Sequence, residues 1–192
     1  MTEEPTAIPR RALLQSAAGL AIGALAVDAP AAPAVASPTR TPGKAGDFNF
    51  LTGNWTISHR QLKASGGKQW DEFQGEATCW SILGGIGSIE ELRIPARNFS
   101  GMGLRLLDVE KHVWADFWVN ARSGVLVSPG TNGSFENGIG TFIADDVDQG
   151  RPIKVRGVWD RITPTSCRWH QAISRDGGKL WEENWFMDWA RV

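Results

Sequence analysis

Trp55, Ile57 and His59 follow one another at every second position. In an extended strand that spacing puts all three side chains on one face. If the face looks inward, His59 is an imidazole inside a cavity, able to donate, accept or take up a proton near neutral pH. Otherwise it sits at a rim, held by a backbone carbonyl. Trp114, Asp116, Trp118 and Asn120 also share a face. Two large rings alternating with two polar groups suit a pocket wall better than a dry core, because a buried carboxylate without a partner is costly. The alternative is that this face meets solvent. Trp169 and Gln171 lie on the face of Cys167 and Ile173, which makes Gln171 a polar contact in an apolar patch, while His170 points the other way and is expected to be exposed. Trp185 adds a further ring.

Arg105 alternates with Gly103 and Leu107, opposite Met102, Leu104 and Leu106, and Arg156 lies opposite the Val155, Gly157 and Trp159 face. Arginines placed this way are usually solvated. Should the apolar faces pack outside instead, both guanidiniums enter the lumen, where they can clamp a carboxylate in bidentate fashion. The adjacent pairs Glu90-Glu91 and Glu182-Glu183 point to opposite faces and so cannot by themselves form the paired carboxylates of a glycosidase. There is no GxSxG elbow and no GxxxxGK[ST] phosphate loop, and no CxxC or HxxxH spacing supports a metal. With no tyrosine in the chain, that residue is excluded as an acid or radical carrier.

The elements that must position these residues read as strands throughout. Alternation is clear at Trp55-Ile57-His59, Phe73-Gly75-Ala77-Cys79 and Ile153-Val155-Gly157-Trp159. Further strands are expected over 86–94, 101–108, 113–121, 134–143, 165–174 and 181–191, with one helical turn over 47–51. Turn chemistry separates them at Gly66-Gly67, 95–98, Asn137-Gly138, 145–150, Thr163-Pro164 and Asp176-Gly177-Gly178. Ser174-x-Asp176-x-Gly178-x-x-Trp181 matches the Asp-box pattern, a turn-stabilising device. Nine or ten short strands joined by hairpins leave a sandwich or an antiparallel barrel. Ten tryptophans favour the barrel, whose lumen must be filled or lined.

Gly53-x-Trp55, preceded by Phe50-Leu51, resembles the opening of calycin-type barrels, the lipocalin-like group. Across 47–191 the chain is similar to a bacterial family of uncharacterised lipocalin-like domains of unknown function. The resemblance rests on Ile82-Leu83-Gly84-Gly85, Leu104-Arg105-Leu106-Leu107-Asp108, Trp114-x-x-x-Trp118, Phe135 through Phe142, Arg156-x-x-Trp159 and Ser174 through Trp185. It implies an all-β, up-and-down antiparallel barrel and carries no catalytic residue with it.

The first 36 residues carry a different message. Arg10-Arg11, an alanine- and glycine-rich apolar run to Val27, and Ala34-Val35-Ala36 lay out a cleaved twin-arginine export signal. The run is too short and too poor in leucine for a spanning helix. Residues 37–46 read as a flexible lead-in and 47–192 as one barrel domain, periplasmic or secreted. The whole chain has 20 basic and 21 acidic residues, and removal of the signal takes two and three of these, leaving no net charge. No basic stripe supports nucleic-acid binding, and nothing argues for stable membrane insertion after cleavage. Cys79 and Cys167 either form one bridge or are two small buried side chains.

The expectation is a barrel binding a small, largely apolar or aromatic molecule. Its candidate contacts are Trp55, His59, Arg105, Trp114, Trp118, Asn120, Arg156, Gln171 and Trp185. The alternative is a cofactor-independent isomerase, cyclase or lyase using the same cavity with His59 as acid–base. No cofactor is expected, haem through His59 or His170 being the minor exception, and the oligomeric state is left open.

Overall fold

The computed structural model describes residues 42–63 and 67–192. The expected export signal over 1–36, residues 37–41 of the expected lead-in and Gly66 lie outside the described residues. Ten strands follow in chain order: β1 (Gly53–Leu62), β2 (Trp70–Ile82), β3 (Gly87–Ile94), β4 (Phe99–Asp108), β5 (Val113–Asn120), β6 (Thr131–Glu136), β7 (Ile139–Asp148), β8 (Arg151–Asp160), β9 (Ser166–Ser174) and β10 (Glu182–Arg191). Each pairs antiparallel with its neighbours in sequence, and β1 pairs with β10, so the sheet closes into an up-and-down barrel. The strand-long alternation in β1 and β4 is the local cause: one side of each strand is buried and the other is not.

Two expected boundaries shift. Residues 134–143, expected as strand, form parts of β6 and β7, folded about the expected Asn137-Gly138 turn with φ of 50° and 77°. Positive φ at both central residues is what a tight, right-twisted hairpin demands. The expected turn at 145–150 shrinks to Gln149-Gly150, because β7 runs on to Asp148. Its acidic run is tolerated in a strand because partners lie alongside: Lys154 reaches Asp145 at 2.6 Å and Arg175 reaches Asp148 at 2.8 Å.

One end of the barrel is packed shut. A 3₁₀ turn, Asn49–Leu51, follows Phe48 and tucks rings beneath the strands. Phe48 meets Trp114 edge to face (4.9 Å, 81°), and Trp55 meets Trp189 likewise (5.9 Å, 78°). Such geometry adds about 0.5–1.5 kcal/mol per pair beyond area burial. Cys79 and Cys167 are buried and not bridged to each other, on β2 and β9, strands separated by β1 and β10 in the barrel wall. Burial pushes the Cys167 thiol up to about 12, which makes it a packing residue rather than a nucleophile. Among the described residues no helix is long and apolar enough to cross a membrane, and no group of three or more His, Cys, Asp or Glu could hold a metal ion.

Candidate ligand-binding cleft

The barrel wall is weakest between β5 and β6. Only Trp114, Ala115 and Asp116 of β5 find partners on β6, opposite Gly133, Asn132 and Thr131. Past that point the strands part. The 121–130 segment folds back on β5 instead: Leu126 bridges Val119, and the Val127 N–H donates to the Trp118 carbonyl at 3.2 Å. Because β7 is longer than β6, Asp146 runs past the end of its neighbour, and with Ala144, which is level with Thr131, it lines the gap. A cavity of about 60 Å³ lies there, lined by Asp116, Phe117, Trp118, Phe142, Asp146, Trp169 and Gln171, among others. Gly101 makes room for one of the walls, since a Cβ at that position would lie 2.3 Å from the Trp118 ring.

The candidate residues distribute unevenly about this cleft. Trp118 and Gln171 line it. Trp185 stands one ring behind, edge to face with Trp169 at 5.7 Å, and donates its indole N–H to His59 Nδ1 at 3.2 Å. That bond makes Nδ1 the acceptor, so a neutral His59 carries its proton on Nε2, which faces Gly75. His59 also stacks on Phe73 at 4.5 Å and is 2 % exposed, so it points inward as alternation predicts. His59 is not among the residues lining the cleft, and the contacts Trp185–His59 and Trp169–Trp185 connect it to the lining residue Trp169. For haem ligation, His59 and His170 differ in setting: His59 Nδ1 is engaged by Trp185, and His170 Nδ1 lies 2.8 Å from Glu183.

Trp55 and Trp114 face inward too, but at the sealed end. Their indole N–H groups donate to the Leu51 carbonyl at 2.7 Å and to Asp47 Oδ2 at 3.1 Å. Asn120 sits at the rim, where its side-chain oxygen accepts the Arg122 N–H at 2.9 Å and so caps the turn after β5. Arg156 is on the outer face, beside Glu183 at 3.4 Å and over the Trp181 ring at 4.4 Å. It does not join the others. His170, expected to be exposed, is buried on that same outer face between Glu183 and Asp160 and parallel to Phe186. Two carboxylates and a ring make an outer surface that shields it.

Arg105 reverses its usual expectation. It is buried in the barrel and donates to Glu90, also buried, with its Nε 3.6 Å from Asp116. Burial works against the guanidinium charge, but the Glu90 and Asp116 carboxylates outweigh it and hold the pKa above its ordinary value. Gly103, opposite Glu90 in the ladder, leaves the pair its space: a Cβ there would lie 3.1 Å from Arg105 Nη2. Glu90, Asp146 and Asn184 were not among the candidates. Glu90 has the parity of buried Leu92 and Ile94, a signal present in the sequence. Asn184 reaches Gln171 at 3.1 Å because a bulge between Glu183 and Trp185 adds a residue to β10, and no sequence pattern announces it.

The Asp-box turn has the structural role its pattern suggests. Asp176 accepts the Lys179 and Leu180 N–H groups at 3.0 Å each, and these backbone bonds hold its carboxyl below the usual range. No protein-family model matches the chain, and no curated protein matches it either.

Proposed function

We propose that this protein binds a small molecule with an apolar or aromatic body in the cleft between β5 and β9. The observation that carries the reading is the parted wall: a cavity reached through a gap in the sheet, with Trp118, Phe142 and Trp169 as apolar surface and Gln171 to orient a polar group. Few polar groups set against aromatic walls are what small-ligand sites generally offer. The volume limits the guest. A dry cavity of about 150 Å³ accepts benzene, and about 60 Å³ is less than half of that. The guest therefore seats one end in the cleft and leaves the rest at its open mouth.

The resemblance to lipocalin-like domains supports the same reading, and Arg10-Arg11 with the small-residue exit at Ala34-Val35-Ala36 supports twin-arginine export to the periplasm or beyond. Indole is a suitable first probe. Its titration is expected to shift the side-chain N–H resonances of Trp118 and Trp169 while leaving Trp55 and Trp114, at the sealed end, unmoved. No shift at saturating indole, or a shift confined to the sealed end, counts against the cleft.

A further inference from the structure

We infer that the outer wall of β2 to β5 docks a second copy of this chain. A barrel strand with one face in water ordinarily turns its apolar residues inward and its polar ones out. β1 does so: its outward Asn54, Thr56, Ser58 and Arg60 are exposed. β4 does the reverse. Gly101, Gly103 and Arg105 point inward, while Met102, Leu104 and Leu106 look out and are only half-buried. Register sets them beside apolar neighbours. One row across the wall reads Trp80, Ile89, Leu104 and Phe117, ending at the cleft mouth. The next reads Ile82, Gly87, Leu106 and Ala115. Gly87 lets its neighbours close over it: a Cβ there would lie 2.6 Å from Ile82 Cγ1 and 3.5 Å from Leu106 Cδ2. Trp80 is 44 % exposed, and Leu83, the residue after β2, is exposed as well.

Neither row holds a charged residue, and the ion pairs at their borders close within the same molecule. Arg93 meets Glu76 at 2.8 Å and Glu91 at 2.9 Å, and Lys111 meets Asp108 at 2.9 Å. Anionic membranes are recognised by clustered lysines and arginines, and charged proteins by complementary potential; the two rows carry neither signal. An identical wall matches them, apolar against apolar. The formal net charge of −1 per chain leaves two copies little mutual repulsion. A two-fold contact of this kind sets the same patch on both partners and is the commonest symmetry in oligomers. The size agrees. With strands about 4.8 Å apart and outward positions about 6.8 Å apart, the two rows with Met102 and Val119 project to roughly 300 Å². Apolar patches of about 300–600 Å² are the largest that monomers usually expose. A standard interface takes about 800 Å² from each partner, as an apolar core within a polar rim. The rows form such a core, and the closed ion pairs form its rim.

Sedimentation equilibrium of the full chain tests this. Wild type is expected to sediment as a dimer, with a dissociation constant in the micromolar range or below. Leu104→Glu is expected to raise that constant at least roughly thirtyfold, the loss found for residues at the centre of an interface. Trp80→Glu replaces a side chain already largely in water, so it stays readable if Leu104→Glu fails to fold, and it is expected to act in the same direction. Ile143→Glu puts the same charge on the outer wall of β7, at a position 38 % exposed, and is expected to leave the dimer intact. A wild-type chain that is monomeric up to about 1 mM overturns the inference. So does a dimer that the folded Leu104→Glu or Trp80→Glu variant leaves unchanged, or that Ile143→Glu weakens equally. A monomer that instead binds phosphatidylcholine vesicles through this wall overturns the second copy in favour of lipid. The ligand cleft stands in each of these outcomes, since indole binding is read separately.

Discussion

At Arg105 a full charge is held at 1 % exposure, and what makes this tolerable is the equally buried Glu90 carboxylate on the adjacent strand. A buried pair of this kind is weak support for stability as a pair, yet removing one partner leaves the other stranded at a cost of about 3–5 kcal/mol. Asp116 moderates that cost here, because it is part-exposed and can hold Arg105 in place of the lost partner. Glu90→Gln is therefore expected to lower the unfolding free energy by about 3 kcal/mol, and Glu90→Leu with Arg105→Met to recover most of it. Urea midpoints for the two proteins and the wild type decide this; a single variant as stable as wild type shows the pair to be inert. Alternation made the shared faces of Trp55–His59 and of Trp114–Trp118 legible, since parity is local, but not which way each face looks. For Arg105 the sequence left both a solvated and a lumenal placement open, because its partner lies 15 residues upstream on another strand. Only register brings Glu90 and Arg105 together.

Strand pairing decides where the barrel can open. The β5–β6 ladder stops after Asp116, while β1 and β2 pair without interruption from Gly53–Cys79 to Leu62–Trp70. Local opening follows the least-paired wall, and the 121–130 segment holds to β5 through turn bonds to Asn120, the Leu126 bridge and the Val127 bond. Amides of β6 and of 121–130 are expected to exchange with solvent at least roughly tenfold faster than those at the centres of β1 and β2. A ligand bound in the cleft is expected to slow the former and not the latter. Uniform protection around the barrel contradicts a gap at this seam. Strand number and most turns were legible because Asn-Gly and Asp-Gly pairs punctuate the alternation. The cleft was not, because it arises from a mismatch in strand length: β6 ends where β7 continues, and nothing in either segment alone records the other's length. The bulge at Asn184 is equally silent, a local extra residue whose consequence is a polar contact to Gln171 across the β9–β10 ladder.

For the whole molecule, closure depends on joining the first strand to the last, and the sequence shows half of the device. Gly53-x-Trp55 is visible on inspection; its counterpart, Arg191, arrives at the other end of the chain. The guanidinium donates to three backbone carbonyls, Phe50 at 2.8 Å, Thr52 at 2.5 Å and Pro164 at 2.8 Å, while lying 4.2 Å above the Trp55 ring. Gly53 is required at the crossing: its φ is +126°, and a Cβ there would lie 2.5 Å from Arg191 Nη1. The planar fork satisfies three acceptors on two separate segments at once, which a lysine's single ammonium cannot reproduce. Hydrogen bonds from a charged donor contribute more than neutral ones, and their partial exposure here brings the expected loss for Arg191→Ala to about 2 kcal/mol. Arg191→Lys is expected to recover less than half of that. Urea unfolding monitored by tryptophan emission measures both, with a reduced midpoint and an unchanged slope as the signature of a weakened native state. Full rescue by lysine would mean that the ring and the charge suffice and the fork does not matter; a loss below about 0.5 kcal/mol for the alanine variant would place this contact among ordinary surface substitutions, leaving the β1–β10 ladder alone to close the barrel.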